Sequence, residues 1–360
     1  MTYADAPSAD PRCAALVRQL SAAFNAAAHV LAAAGGRPLR ACLALEHWHA
    51  NALTAAIEQR YPAMAEQRVA VPDRHFKHRE DDAPCLVPLP EDWTTPSTDP
   101  AVVSLIANDL PEWLTQAWLH AEQRQMRQPL CGVLFSEASP VAIADHWAGL
   151  GDQTSPADGS ARLFRYQDAR VMQRAWPLLS DAQRQAWLGP VRQWWALEQP
   201  WGPWSFADLV QQDVTATSRE PEWFRAFVRP DNAEALSSSA AGRLSFELAQ
   251  WHAAHSAPAG HRVWARLAGN DVPPDRQPDG AAMSRMLALG QSLGLNDDNL
   301  EDFVEVSWRA HLPQGANREI SWQSAGEADL LAQILDALRR QPDARVGTLY
   351  AEALAARHAR

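Results

Sequence analysis

Three short apolar runs limit the folds open to this 360-residue chain. Arg40–Glu46 (RACLALE) and Leu130–Phe135 (LCGVLF) are continuous rather than alternating, so each reads as a strand buried in a core. Val191–Leu197 (VRQWWAL) is apolar and tryptophan-rich. Adjacent residues on a strand point to opposite faces, so one of Trp194 and Trp195 is expected to leave the core. It would then pack between lobes or in a partner's groove.

The remaining punctuation places helices around these strands. Leu16, Leu20, Phe24 and Leu31 share one face of a helix over Pro11–Ala34. Asp99-Pro100 supplies an N-cap and a first-turn proline, and Pro111 predicts a kink or two shorter helices. Ser139-Pro140 opens another helix, Ser180–Gln183 forms a capping box, and Gly189-Pro190 closes that segment. Pro88 inside Cys85–Leu89 suggests an edge strand or a bulge, and Ala161–Tyr166 alternates as a further strand. After about residue 215 the strand signals fade, and helices are read near Glu222–Val228, Ala233–His255, Ala281–Leu293, Asp297–His311, Glu327–Gln341 and Val346–Arg357. The expected architecture is an α/β lobe, a mixed sheet with flanking helices, followed by an all-α C-terminal lobe. Its boundaries are 1–39 for a helical extension, 40–210 for the α/β domain and 211–360 for the helical lobe.

Charge and cysteine usage exclude several function classes. The net charge of −11 divides into −5 over residues 1–200 and −6 over 201–360, so neither half is a basic module for nucleic acid. Nine carboxylates between Asn296 and Asp336 face only Arg309 and Arg318 in the sequence. Cys13, Cys42, Cys85 and Cys131 are widely spaced and expected to be reduced. The run Ala22–Ala34 is interrupted by Asn25 and His29 and is too short to span a bilayer, and the N-terminus lacks a signal-peptide pattern. A cytoplasmic protein without membrane insertion is expected.

Catalytic motifs are sparse. The chain has no GxSxG elbow, no dinucleotide or phosphate loop, and no central glycine for a calcium loop in Asn296–Glu305. His47, His49, His75 and His78, with Asp73, Asp81, Asp82 and Cys85 nearby, could supply ligands for a metal-dependent enzyme. Closely spaced loop histidines are common, however, and the preferred reading assigns no metal, no cofactor and no catalytic residue. Trp113, Trp118, Trp147, Trp176 and Trp187 fall at core spacing. Trp194, Trp195, Trp201 and Trp204 are the candidate partner-binding residues, at an expected seam between the lobes.

Leu163–Trp195 reads LFRYQDARVMQRAWPLLSDAQRQAWLGPVRQWW. This resembles the signature of the type VI secretion effector adaptor chaperones, a bacterial family long catalogued as a domain of unknown function. Its pattern is met by Arg165, Tyr166, Asp168, Arg170, Val171, Gly189, Pro190 and Trp194. Ala83–Leu89 and Cys131–Ser136 are similar to two upstream strands of the family, so the resemblance covers about residues 40–200. The first strand departs from the pattern by leading into Glu46-His47-Trp48-His49, and the Asp-Pro-Arg of the family stands here as Asp168-Ala169-Arg170. The resemblance implies a non-enzymatic adaptor, monomeric when free, with a secretion effector and a trimeric spike protein as partners; the alternatives are the metal-dependent enzyme above or an assembly factor for a phage-tail-like component. A carboxylate between two guanidinium groups at a strand-to-helix passage suits a scaffold brace formed by Arg165, Asp168 and Arg170. A peptide-binding contact by the same trio is the alternative.

Overall fold

Residues 9–122, 128–198, 220–227, 243–269, 272, 277–295, 297–309, 322 and 325–358 are described in a computed structural model. The first helix, α1 (Pro11–Ala33), starts where Asp10 accepts the Arg12 amide and proline occupies the first turn. There follow β1 (Arg40–Leu45), α2 (Thr54–Arg60), α3 (Pro62–Glu66), β2 (Val69–Ala70), β3 (Cys85–Pro88), α4 (Pro100–Ser104), α5 (Leu110–Glu122) and β4 (Leu130–Ser136). Next come α6 (Pro140–Leu150), β5 (Asp152–Thr154), β6 (Ala161–Leu163), α7 (Ala169–Ala175), α8 (Asp181–Leu188), β7 (Val191–Leu197) and β8 (Trp223–Phe227). Among the described residues six strands form one sheet in the order β2-β3-β1-β4-β7-β8, and β5 pairs with β6 separately. The expected class stands, a sheet with flanking helices. Among the described residues every pairing is antiparallel, where a mixed sheet was expected.

Both faces of this sheet are covered by helices. On one, Leu43, Val133, Phe135 and Trp195 share a core with Leu16, Leu20 and Phe24 of α1 and Trp113 of α5. On the other, the Trp194 ring lies 5.3 Å from that of Trp147 on α6. The two tryptophans therefore take opposite faces and both remain inside, Trp194 at 0% and Trp195 at 8% exposure. This corrects the expectation that one of them leaves the core for a seam or a partner. Trp201 and Trp204 lie outside the described residues. Continuous apolar strands are the sequence mark of a sheet buried on both faces, here in antiparallel form.

Close approach of β7 to β4 requires glycine. Gly132 has φ 144°, and a Cβ there would sit 2.4 Å from the Trp195 carbonyl oxygen and 2.6 Å from Trp194 Nε1. The same indole N–H donates to the Cys131 carbonyl at 3.1 Å.

Two strand expectations are revised, and the break expected at Pro111 is met. The segment read as a helix near Glu222–Val228 is strand β8, in register with β7 from Trp223↔Leu197 to Phe227↔Gln193. Its WFRAF sequence is rich in aromatic residues that favour strands, and the ladder with β7 decides the matter. The Pro88 strand is not an edge: β3 lies between β2 and β1. β2 reaches only Leu86 and Cys85, so the missing amide of Pro88 falls beyond that pairing. Before Pro111 the helix widens into one π turn, Leu105–Asp109, closed by Leu110 N–H on the Leu105 carbonyl. Asp109, fully buried in that turn, is held by Arg60, the Tyr61 hydroxyl and Ser104 Oγ.

The chain divides into two compact units, Met1–Pro200 with Thr215–Ala254, and Trp201–Val214 with His255–Arg360. The first helix thus belongs to the sheet unit. The later helices are α9 (Leu248–Gly269), α10 (Gly280–Ser292), α11 (Asp297–Arg309), α12 (Ala325–Arg340) and α13 (Val346–His358), and the unit boundary falls inside α9. Within the second unit several of the α11 carboxylates are paired internally. Glu301 is buried against Arg262 and Arg266, and Asp302 pairs with Arg266 at 3.1 Å and Arg345 at 2.5 Å.

Replacing Gly132 by alanine is expected to lower stability by about 2–4 kcal/mol, from overpacking added to backbone strain. Gly159 also has positive φ but faces open space. Gly159→Ala should therefore show the strain alone, about 1 kcal/mol. Urea unfolding followed by tryptophan fluorescence measures both.

Candidate functional site

The charged residues of the signature meet where β6 passes into α7. Asp168 is the N-cap of α7 and accepts the Arg170 amide at 3.0 Å. Its two oxygens also take Arg170 Nε at 2.8 Å and Nη2 at 2.6 Å, a bidentate fork. Arg165 Nε lies 3.2 Å from Asp168 Oδ2, and the same guanidinium pairs with Glu46 at the end of β1. Glu46 Oε2 completes the series by accepting the Gln128 amide at 2.7 Å. Asp168, Arg170 and Glu46 are all buried, where charges persist only when paired. Sequence reasoning found Arg165, Asp168 and Arg170 but missed Glu46, which stands 119 positions from Arg165 in the chain. The departure from the family turn at Glu46-His47 was its only mark.

Glu46 and Arg165 form one wall of a cleft of about 350 Å³. Phe76, Arg79, Asp73 and Tyr166 contribute other surfaces. Burial, then the charge of Asp73, pushes the Tyr166 hydroxyl well above its ordinary pKa, so it stays a protonated donor. Asp73 Oδ1 accepts the His75 amide at 2.9 Å. Asp73 Oδ2 presses so closely on Gly151 that a Cβ there would lie 2.3 Å away. The cleft thus offers fixed donors and acceptors beside aromatic surface. Burial pushes the Cys42 and Cys85 thiols up to about 12 and that of Cys131 well above 9.0, so these cysteines are held as thiols rather than nucleophilic thiolates.

The histidines do not converge. His75 Nε2 is 2.8 Å from Asp152 Oδ1, a carboxylate that Arg74 also holds. His47 Nδ1 contacts the His49 carbonyl oxygen at 2.5 Å, while His49 and His78 are exposed. Among the described residues no three of His, Cys, Asp and Glu are placed to hold a metal ion.

Gly189 and Pro190 lie elsewhere, at the turn from α8 into β7. Gly189 has φ 55°, and a Cβ there would enter the His146 ring at 2.3 Å. Pro190 offers its carbonyl to Ser136 Oγ at 2.7 Å. His146 is half-buried with Nε2 3.2 Å from the Trp187 carbonyl, and burial lowers its pKa.

A family model described as a domain of unknown function (DUF4123) matches residues 45–186. That span contains Glu46, Arg165, Asp168 and Arg170, and it ends before Gly189. No curated protein and no solved structure matches the chain. No helix among the described residues is long and apolar enough to cross a membrane.

Asp168→Asn leaves two guanidinium groups facing a neutral amide in a buried site. It should lower stability by about 3–5 kcal/mol, read as a fall in the urea midpoint at constant slope. A pH prediction follows from His146. Its folded pKa lies below the ordinary 6.5, so unfolding takes up a proton as the pH falls through that value and below. Stability should therefore decline on acidification from pH 7.5 to 5.5, and His146→Gln should make that decline shallower in parallel urea titrations.

Proposed function

We propose that the protein is a cytoplasmic, non-enzymatic adaptor chaperone of a type VI secretion system. It binds one effector, through the effector's N-terminal region, and assists its loading onto the trimeric spike protein. The observation that carries this reading is the ordered signature from Leu163 to Trp195 within a chain whose residues 45–186 match the unknown-function family model. The chemistry of the site supports it. The signature carboxylate is committed to a buried brace, which suits a rigid platform for recognition better than proton transfer.

Affinity purification of the tagged chain from its own bacterium, with the secretion system expressed, should recover one large effector together with a spike protein. Deleting the gene should leave the effector in the cells while the spike is still exported. Recovery of neither partner, with the effector present by immunoblot, would overturn the proposal.

A further inference from the structure

We infer that the groove between α1 and the β7–β8 end of the sheet seats an amphipathic helix of the partner, apolar on one face and acidic at its flanks. The inference rests on the adaptor reading and adds the surface and the chemistry of the bound segment.

Helix α1 carries two apolar stripes. Leu16, Val17, Leu20 and Phe24 enter the core. Ala23, Ala26, Ala27, Val30 and Leu31 line a groove of about 650 Å³ instead, and Val30 is 68% exposed. Their spacing of three and four is that of one helix face, and alanines allow a second helix to approach closely. The far wall is Leu188–Val191, the turn fixed by Gly189. Phe227 on β8, the outermost strand among the described residues, stands at 37% exposure beside it. A strand added to β8 would meet that edge but leave the α1 stripe in water, so the groove favours a helix.

Charge selects the occupant. Arg192 is bonded to Glu137 Oε2 through Nε at 2.6 Å, and Glu137 Oε1 accepts the Arg37 amide at 3.1 Å. That carboxylate is therefore engaged. Arg40 reaches only the Glu137 carbonyl oxygen, at 3.5 Å. Arg225 stacks 4.4 Å from the Phe227 ring centroid and 5.3 Å from that of Trp195. Neither Arg40 nor Arg225 forms an ion pair with a carboxylate among the described residues. Glu220 and Glu222 share a neighbouring hollow with Arg225 without pairing to it. In a chain of net charge −11, the groove itself is lined by Arg192 and Arg225 against the one carboxylate Glu137, with Arg40 beside Glu137, so positive charge is in local excess. An apolar groove with such a rim complements carboxylates flanking an apolar helix face.

The test places a photo-crosslinking phenylalanine analogue at Val30 in the full chain, in its own bacterium, and maps the product by mass spectrometry. The expected product joins residue 30 to an effector segment with apolar residues three and four apart and Asp or Glu at its ends. Binding of the effector recovered with the unsubstituted chain is then measured for Val30→Glu and for Arg40→Glu/Arg225→Glu. Both should bind about tenfold more weakly, with an unchanged urea midpoint, and reversing the mapped carboxylates to lysine should restore the double variant. Crosslinks to residues 199–242 of the same chain, or to a second copy, overturn the inference. Undiminished effector binding by both variants overturns it too and leaves the adaptor reading standing. An unsubstituted chain that recovers no effector removes that reading itself.

Discussion

The rest of the sheet unit depends on how β7 is enclosed. Two tryptophans in sequence on one strand send indoles to opposite faces, and each needs an apolar layer to enter. The chain provides α1 and α5 against Trp195 and α6 against Trp194. β7 can then sit deep in the sheet only if its neighbour gives way, which Gly132 does by having no side chain at the point of contact. Gly189 performs a similar service at the start of β7, where the turn closes against the His146 ring. The runs that announced strands and the glycines between them thus answer to one packing problem.

A second constraint is electrostatic. The end of β1 and the start of α7 are far apart in the chain and are joined through Glu46, Arg165, Asp168 and Arg170. Each charge is paired with the next, and Asp168 also accepts the Arg170 amide at the helix start. Such a series is rigid because losing any member strands its neighbour in a medium that cannot solvate it. It borders a cleft with aromatic surface, so the charges that fix the fold also shape one of its recesses. In the helical unit the same chemistry has a different consequence. The carboxylates of α11 are largely consumed by arginines of that unit, which leaves less free charge than the sequence suggests.

Legibility followed the range of the interactions. Caps at Asp99, Ser139 and Ser180 are set by residues two or three apart, and each was readable as written. The helices from α10 to α13 likewise follow their own periodicity. Strand β8 was misread because five residues carry too little periodicity, and its pairing with β7 is settled by a ladder invisible in the segment itself. Glu46 was missed for the same reason: no spacing rule links it to Arg165.

By itself the sequence determined the strand-forming runs, the helix starts and stops, and the trio Arg165, Asp168 and Arg170, because these rest on local stereochemistry and a recognisable signature. Tertiary structure alone decided that both Trp194 and Trp195 are interior, that the described sheet pairs are all antiparallel, and that Glu46 joins the trio. It also decided which stripe of α1 enters the core and which lines a groove. Those outcomes depend on the layers that cover each face, and burial is a property of neighbours brought from elsewhere in the chain.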